Sequence, residues 1–207
     1  MTVKNESIVS SAFPDTAFDV VAMAASAGGL QALSAVLSAM PADFPAAVVV
    51  VQHLDPRHRS LMAEILERRT PMRVQQAKEG DRLSPGLVHI APPDRHLLVN
   101  PDGSLSLSQS ELVHFVRPSA DLLFESVAAS YKERVIAVVL TGTGSGGNMG
   151  VRAVRKMKGV VIVQDERTSE FFGMPGAAIQ TGCVDFVLPL EGIAPALARL
   201  VLRGERT

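Results

Sequence analysis

Three short segments of the 207-residue chain carry side chains able to do chemistry, and each follows an apolar run. Ala25-Ser26-Ala27-Gly28-Gly29 puts a hydroxyl between the run Phe18 to Ala24 and a helical pattern. A serine there is a candidate nucleophile, held where the N–H groups of a helix start stabilise an oxyanion. The segment departs from the G-x-S-x-G elbow, because Ala24 stands at the first glycine position. The bland alternative is a helix N-cap, a position that serine favours. Gln52-His53-Leu54-Asp55-Pro56 ends the second run. His53 is there either a general base facing the same cleft or a histidine hydrogen-bonded to its loop. The third segment, Leu140 to Gly147, spells G-x-G-x-x-G through Gly142, Gly144 and Gly147. Asp165 follows at the end of the next apolar run, at the offset of a ribose-binding acid, so dinucleotide binding stands as one reading. No lysine follows the glycines, which excludes a Walker loop, and a flexible glycine turn is the other reading.

The elements that would position these segments alternate between strand and helix. Phe18 to Ala24 and Ala46 to Val51 are continuous apolar runs, as strands buried on both faces of a parallel sheet should be. Leu30, Leu33, Val36, Leu37 and Met40 fall on one helical face, and Pro41 stops that helix. A helix is expected over Ser60 to Arg69. Between Val74 and Leu107 short alternating pieces separated by Gly, Pro and Asn100-Pro101-Asp102-Gly103 predict antiparallel hairpins. Further helices are expected over Pro118 to Ser130, Gly147 to Met157, Pro175 to Thr181 and Ile193 to Leu202. Strands are expected over Val135 to Leu140, Val160 to Gln164 and Val184 to Leu188. The fold class is therefore α/β: a doubly wound, mostly parallel sheet with helices on both faces and an antiparallel hairpin region. Ligands of such sheets bind at the carboxyl ends of the strands, where all three segments lie. Residues 1–17 read as a flexible tail, and 18–203 as a single domain.

Composition narrows the function. Apolar residues make up 47% and charged residues 20%, with a formal net charge of −1, so the bulk of the chain is not disordered. That balance gives no footprint for nucleic acid, and no tryptophan and one tyrosine leave little for base stacking. No apolar run approaches the ~18 residues needed to span a bilayer. The N-terminal segment lacks a secretion signal, so the expected location is cytoplasmic. Cys183 stands alone and reads as a small buried thiol. His58 lies near His53, but neither H-E-x-x-H nor a Cys/His cluster is present, so no metal site is expected. His89, His96 and His114 read as structural or surface residues.

Five segments together resemble a known family: VVAMAASAGGLQAL, VVVVQHLDP, GDRLSPGLVHIAPPDRH, VVLTGTGSGGNMG and FFGMPGAAI. They are similar to the catalytic domain of chemotaxis protein-glutamate methylesterases, in that family's order, from about Phe18 to Leu202. The resemblance implies a cofactor-free serine hydrolase that demethylates, and can deamidate, glutamyl residues of methyl-accepting chemotaxis receptors. It puts the nucleophile on Ser26, the general base on His53 and the backbone oxyanion donors near Ala27 and Thr143. It also makes the glycine loop a cover over the serine rather than a dinucleotide cradle, with Phe171 to Pro175 beside it.

The sequence departs from the family in two places. The family's loop is G-x-G-x-D-G, whose acid completes the triad, and here Gly146 stands in its place. A lost triad carboxylate costs about 10⁴ in rate elsewhere. The expectations are thus a substitute acid (Asp55, Asp165 or Glu166), a slow Ser–His dyad, or a silent module that binds receptors or signalling proteins. Removing a negative charge near His53 should also lower its pKa. Secondly, the family carries a receiver domain ahead of the catalytic one, whereas fewer than twenty residues precede the first strand here. A stand-alone module would then depend on expression or on a separate regulatory chain.

Overall fold

Valine and alanine runs with polar residues only at their ends have two apolar faces, and a strand of that kind is stable only with a layer packed on each side. The computed structural model, which describes residues 16–53, 60–113 and 116–202, arranges them so. In chain order the elements are β1 (Val20–Ala25), α1 (Gly29–Ser38), β2 (Ala47–Gln52), α2 (Met62–Glu67), β3 (Arg73–Gln76), β4 (Leu87–Ile90), β5 (His96–Val99) and β6 (Leu105–Ser108). They continue with α3 (Ala120–Tyr131), β7 (Val135–Val139), α4 (Asn148–Lys156), β8 (Val160–Gln164), α5 (Gly173–Gln180), β9 (Phe186–Leu188) and α6 (Leu190–Leu202). Seven strands form one sheet in the order β3-β4-β2-β1-β7-β8-β9, and every pair in it is parallel. The connection from β1 runs to β2 on one side and, later, to β7 on the other. The switch point therefore flanks β1.

Alternate residues of the strands feed two cores. Val20, Ala22 and Ala24 of β1 pack with Leu123, Phe124 and Val127 of α3, Val151 of α4, Ala178 of α5, and Leu97 and Leu105 of the β5–β6 pair. Val21, Met23 and Ala25 pack with Leu33 and Leu37 of α1, Leu66 of α2, and Ile193 and Leu197 of α6. The period-two alternation of a strand produces this split. Asp19, just ahead of β1, is buried and ion-paired to Arg134, just ahead of β7, which fixes the entry of both central strands.

The doubly wound sheet matches the expected fold class, with one correction inside the region Val74 to Leu107. Only β5 and β6 form an antiparallel hairpin, turned at Asn100–Gly103 with Gly103 at φ 81°. Strands β3 and β4 instead extend the parallel sheet. Their short length and their prolines and glycines mimic hairpin texture. Yet Val88 and Ile90 are buried and pair with Val48 and Val50 of β2, which requires a parallel crossover. Strand β9 is the other surprise: as an edge strand it leaves Phe186 and Val187 exposed. Cys183 is half-buried rather than fully enclosed. His89 and His96 are fully buried, while His58, His114 and the expected tail residues 1–15 lie outside the described residues. Among the described residues no helix is long and apolar enough to cross a membrane.

Phe124 is fully buried between α3 and the start of α4, where it meets Gly147 and Gly150. Phe124→Ala is expected to cost ~3–5 kcal/mol of stability, because the cavity it leaves lies between packed helices. Urea unfolding followed by circular dichroism measures that loss.

Candidate active site

Ala25, the last residue of β1, pairs with Gln52, the last residue of β2. The next residue on each strand is Ser26 and His53. Parallel register thus brings Ser26 and His53 to neighbouring places at the carboxyl edge of the sheet. The loop after β7 lies on the other side of Ser26, whose N–H donates to the Thr141 carbonyl at 3.0 Å. Three strand ends therefore converge, and Ser26 and His53 are brought together as expected.

Ser26 is not the helix N-cap. That position belongs to Gly28, in the left-handed region at φ 76°, and Gly29 N–H donates to the Ser26 carbonyl at 2.9 Å. The serine therefore sits one tight turn ahead of α1, half-buried, and among the described residues its hydroxyl makes no hydrogen bond. The N–H groups of Ala27 and Thr143 likewise donate to no group among the described residues.

His53 is half-buried. Its Nε2 is buried and has no hydrogen-bond partner among the described residues. Burial pushes its pKa below the ordinary imidazole value of 6.5, and the Asp121 carboxylate opposes that shift. The neutral ring, the form able to accept a proton, is thus the one the site favours at neutral pH.

Two glutamines that sequence reasoning passed over hold the loops. Gln52 Nε2 donates to the Ser26 carbonyl at 2.7 Å and to the His53 carbonyl at 3.2 Å, tying the end of β1 to the end of β2. A Cβ on Gly29 would fall 1.9 Å from Gln52 Oε1, so only glycine lets this side chain pass. Gln164, at the end of β8, accepts from Thr141 N–H at 2.8 Å and donates to the Thr168 carbonyl at 2.8 Å. Thr141 Oγ1 accepts from Phe171 N–H at 2.9 Å and lies 3.1 Å from the Ala27 carbonyl. A polar residue ending an otherwise apolar strand was the available signal for both glutamines.

The glycine loop covers the serine closely. A Cβ on Gly142 would sit 2.8 Å from Ser26 Cβ and 2.4 Å from the buried Met174 sulfur. Gly142 N–H donates to the Phe171 carbonyl and its own carbonyl accepts from Met174 N–H, which joins the loop to α5. Phe171 is exposed and Phe172 half-buried, so the pair borders this surface rather than filling the core. A Cβ on Gly146 would lie 3.5 Å from His53 Cε1, an ordinary contact. A side chain could therefore begin at that position beside the imidazole without a clash at its Cβ.

The three acids expected as substitutes fare differently. Asp55 lies outside the described residues. The Asp165 carboxylate accepts from the N–H and hydroxyl of Thr168, which hold its pKa below the usual carboxylate range. That bonding also turns it into its own loop, away from a ribose-binding role. Glu166 is exposed. Among the described residues, the acid whose charge acts on His53 is Asp121, on α3, which no motif in the sequence pointed to. Glu170 was also unforeseen: its carboxylate packs against Gly28, where a Cβ would meet Oε2 at 2.7 Å. Among the described residues no cluster of His, Cys, Asp and Glu could hold a metal ion.

Comparison with known proteins gives a consistent picture. The CheB methylesterase family profile matches residues 21–197. A protein-glutamate methylesterase/protein-glutamine glutaminase of Moorella thermoacetica is 41% identical over 187 residues, covering 88% of this chain and 44% of that protein. One of the enzymes so named in Burkholderia lata is 43% identical, over 90% of this chain and 55% of its own length. The chain thus spans about half the length of these two relatives, although it spans 95% of a Leptospira interrogans relative that is 37% identical. Among solved structures, the catalytic domain of Thermotoga maritima CheB methylesterase superposes with a TM-score of 0.86 at 36% identity, covering 89% of this chain and 99% of that one. With its sheet order, its Ser26–His53 edge and its profile match over residues 21–197 in agreement, the chain belongs to the CheB methylesterase family.

Proposed function

We propose that the protein is a serine hydrolase that demethylates, and deamidates, glutamyl and glutaminyl residues of methyl-accepting chemotaxis receptors through Ser26 and His53. The observation that carries this reading is the register that seats Ser26 beside His53 under a glycine loop with unspent N–H groups. His53 takes the Ser26 proton as Oγ attacks the ester carbonyl. The developing oxyanion is met by the N–H groups of Ala27 and Thr143. The tetrahedral adduct collapses to the acyl-enzyme, methanol leaving with the proton from His53. Water, deprotonated by His53, then releases the glutamate and restores Ser26. No cofactor or metal takes part.

Gly146 makes this a weakened enzyme. It leaves the imidazole without a hydrogen-bonding acid on the side where a loop carboxylate would stand, so the imidazolium formed during attack is less stable. The same absence supports a second reading, in which the domain binds receptors or signalling proteins without hydrolysing them. Methanol release from a methylated receptor fragment separates the two. Wild type is expected to turn over slowly, Ser26→Ala to abolish release, and Gly146→Asp to accelerate it at least tenfold, towards the limit of about 10⁴ set by other triads. Release by wild type equal to that of Ser26→Ala would leave the binding reading.

The pH dependence follows from the burial of His53. A base must be neutral to act, and its pKa is held below 6.5, so activity should be level through neutral pH. It should fall only as pH drops beneath the ordinary imidazole value. A pH–rate profile of kcat/KM checks this: a limb lying above pH 6.5 would contradict a desolvated His53 as the base.

A further inference from the structure

We propose that Asp121, in the first turn of α3, is a positioning residue whose buried carboxylate stabilises the His53 imidazolium through space, in a chain whose glycine loop carries no acid beside that ring. The inference rests on the reading of His53 as general base. It starts from the packing of the loop between β7 and α4. Gly146 faces His53 Cε1, and the next residue, Gly147, faces Ala120 Cβ, each at 3.5 Å from where a side chain would begin. The imidazole and the first turn of α3 thus lie against consecutive residues of one loop, and Asp121 follows Ala120 directly. The carboxylate is 4% exposed, so its field is little screened by water.

Its position is fixed from two sides. Asp121 Oδ1 accepts from Gly150 N–H at 3.0 Å, which binds it to the start of α4. The start of α3 is itself held by the hairpin: His96 Nδ1 accepts from Ser119 N–H at 3.1 Å, with His96 Nε2 against the Glu111 carbonyl at 3.0 Å. The Ser119 hydroxyl then caps the helix by accepting from Leu122 N–H. The other acid on this stretch of α3 is Glu125, half-buried one turn on, whose own pKa is raised by burial and by Asp121. Among the described residues, the carboxylate that acts on His53 is that of Asp121. Burial still outweighs it, so His53 remains neutral at rest and the field matters chiefly when the proton arrives.

A merely structural Asp121 would hold the start of α4 and exert no effect of charge on His53. Asp121→Asn separates the roles, since the amide oxygen still accepts from Gly150 N–H while the charge is gone. The experiment is an NMR titration of the His53 ring in the full chain, assigned with His53→Gln, for wild type, Asp121→Asn, Asp55→Asn and the double variant Asp121→Asn/Gly146→Asp. His53 in Asp121→Asn is expected to titrate at lower pH than in wild type, Asp55→Asn to leave it in place, and the added aspartate to move it back up. Methanol release should fall roughly tenfold in kcat with KM unchanged, short of the loss seen when a contacting acid is removed. Should Asp121→Asn melt early, Asp121→Ser, whose hydroxyl also accepts, carries the same titration. His53 titrating at the wild-type pH without the Asp121 charge, or answering to Asp55→Asn instead, overturns the proposal. The titration needs no substrate, so it stands apart from the fate of the esterase reading, which Ser26→Ala decides.

Discussion

The parallel pairing of β1 with β2, with Ala25 opposite Gln52, is the constraint on which the rest depends. A one-residue slip would turn every β1 side chain to the other face and exchange the contents of the two cores. It would also carry Ser26 away from His53. Because both strands are apolar on both faces, the register cannot be set by an inside and an outside. The Gln52 clamp ties the finish of β2 to Ser26 after β1, while the Asp19–Arg134 pair holds the start of β1 to the start of β7.

Glycine is the second constraint, and it acts at two positions for a steric reason. Gly29 admits Gln52 and Gly142 admits both Met174 and Ser26 at separations no side chain would tolerate. These residues bring three loops within hydrogen-bonding reach of one another, a closeness that propensity alone would not disclose. Gly146 is of a different kind. Its surroundings would accept a Cβ at ordinary contact distance from the His53 ring, so no close approach of backbone requires glycine there.

Much of this was legible in the chain itself. Buried runs ending in Ser26, His53 and the glycine loop announced a parallel sheet and its reactive edge, because strands covered on both faces have a composition that half-exposed ones lack. The placement of β3 and β4 was not legible, since four-residue strands broken by turns look alike whether they pair forwards or backwards. Nor was Asp121, which lies 68 residues from His53 in a helix with no distinguishing motif. Its proximity arises from the packing of α3 on the loop after β7, a long-range contact written in shape rather than spacing. The glycine fingerprint with Asp165 shows the converse: a correct local pattern whose acid the fold turns inward to Thr168.

Gln52 gives the site a mechanical property of its own. One side-chain amide donates to the carbonyls of both Ser26 and His53, so the ends of β1 and β2 are bridged by a single planar group. A displacement of either strand end then strains the same amide, so the backbone positions of Ser26 and His53 are coupled through one side chain.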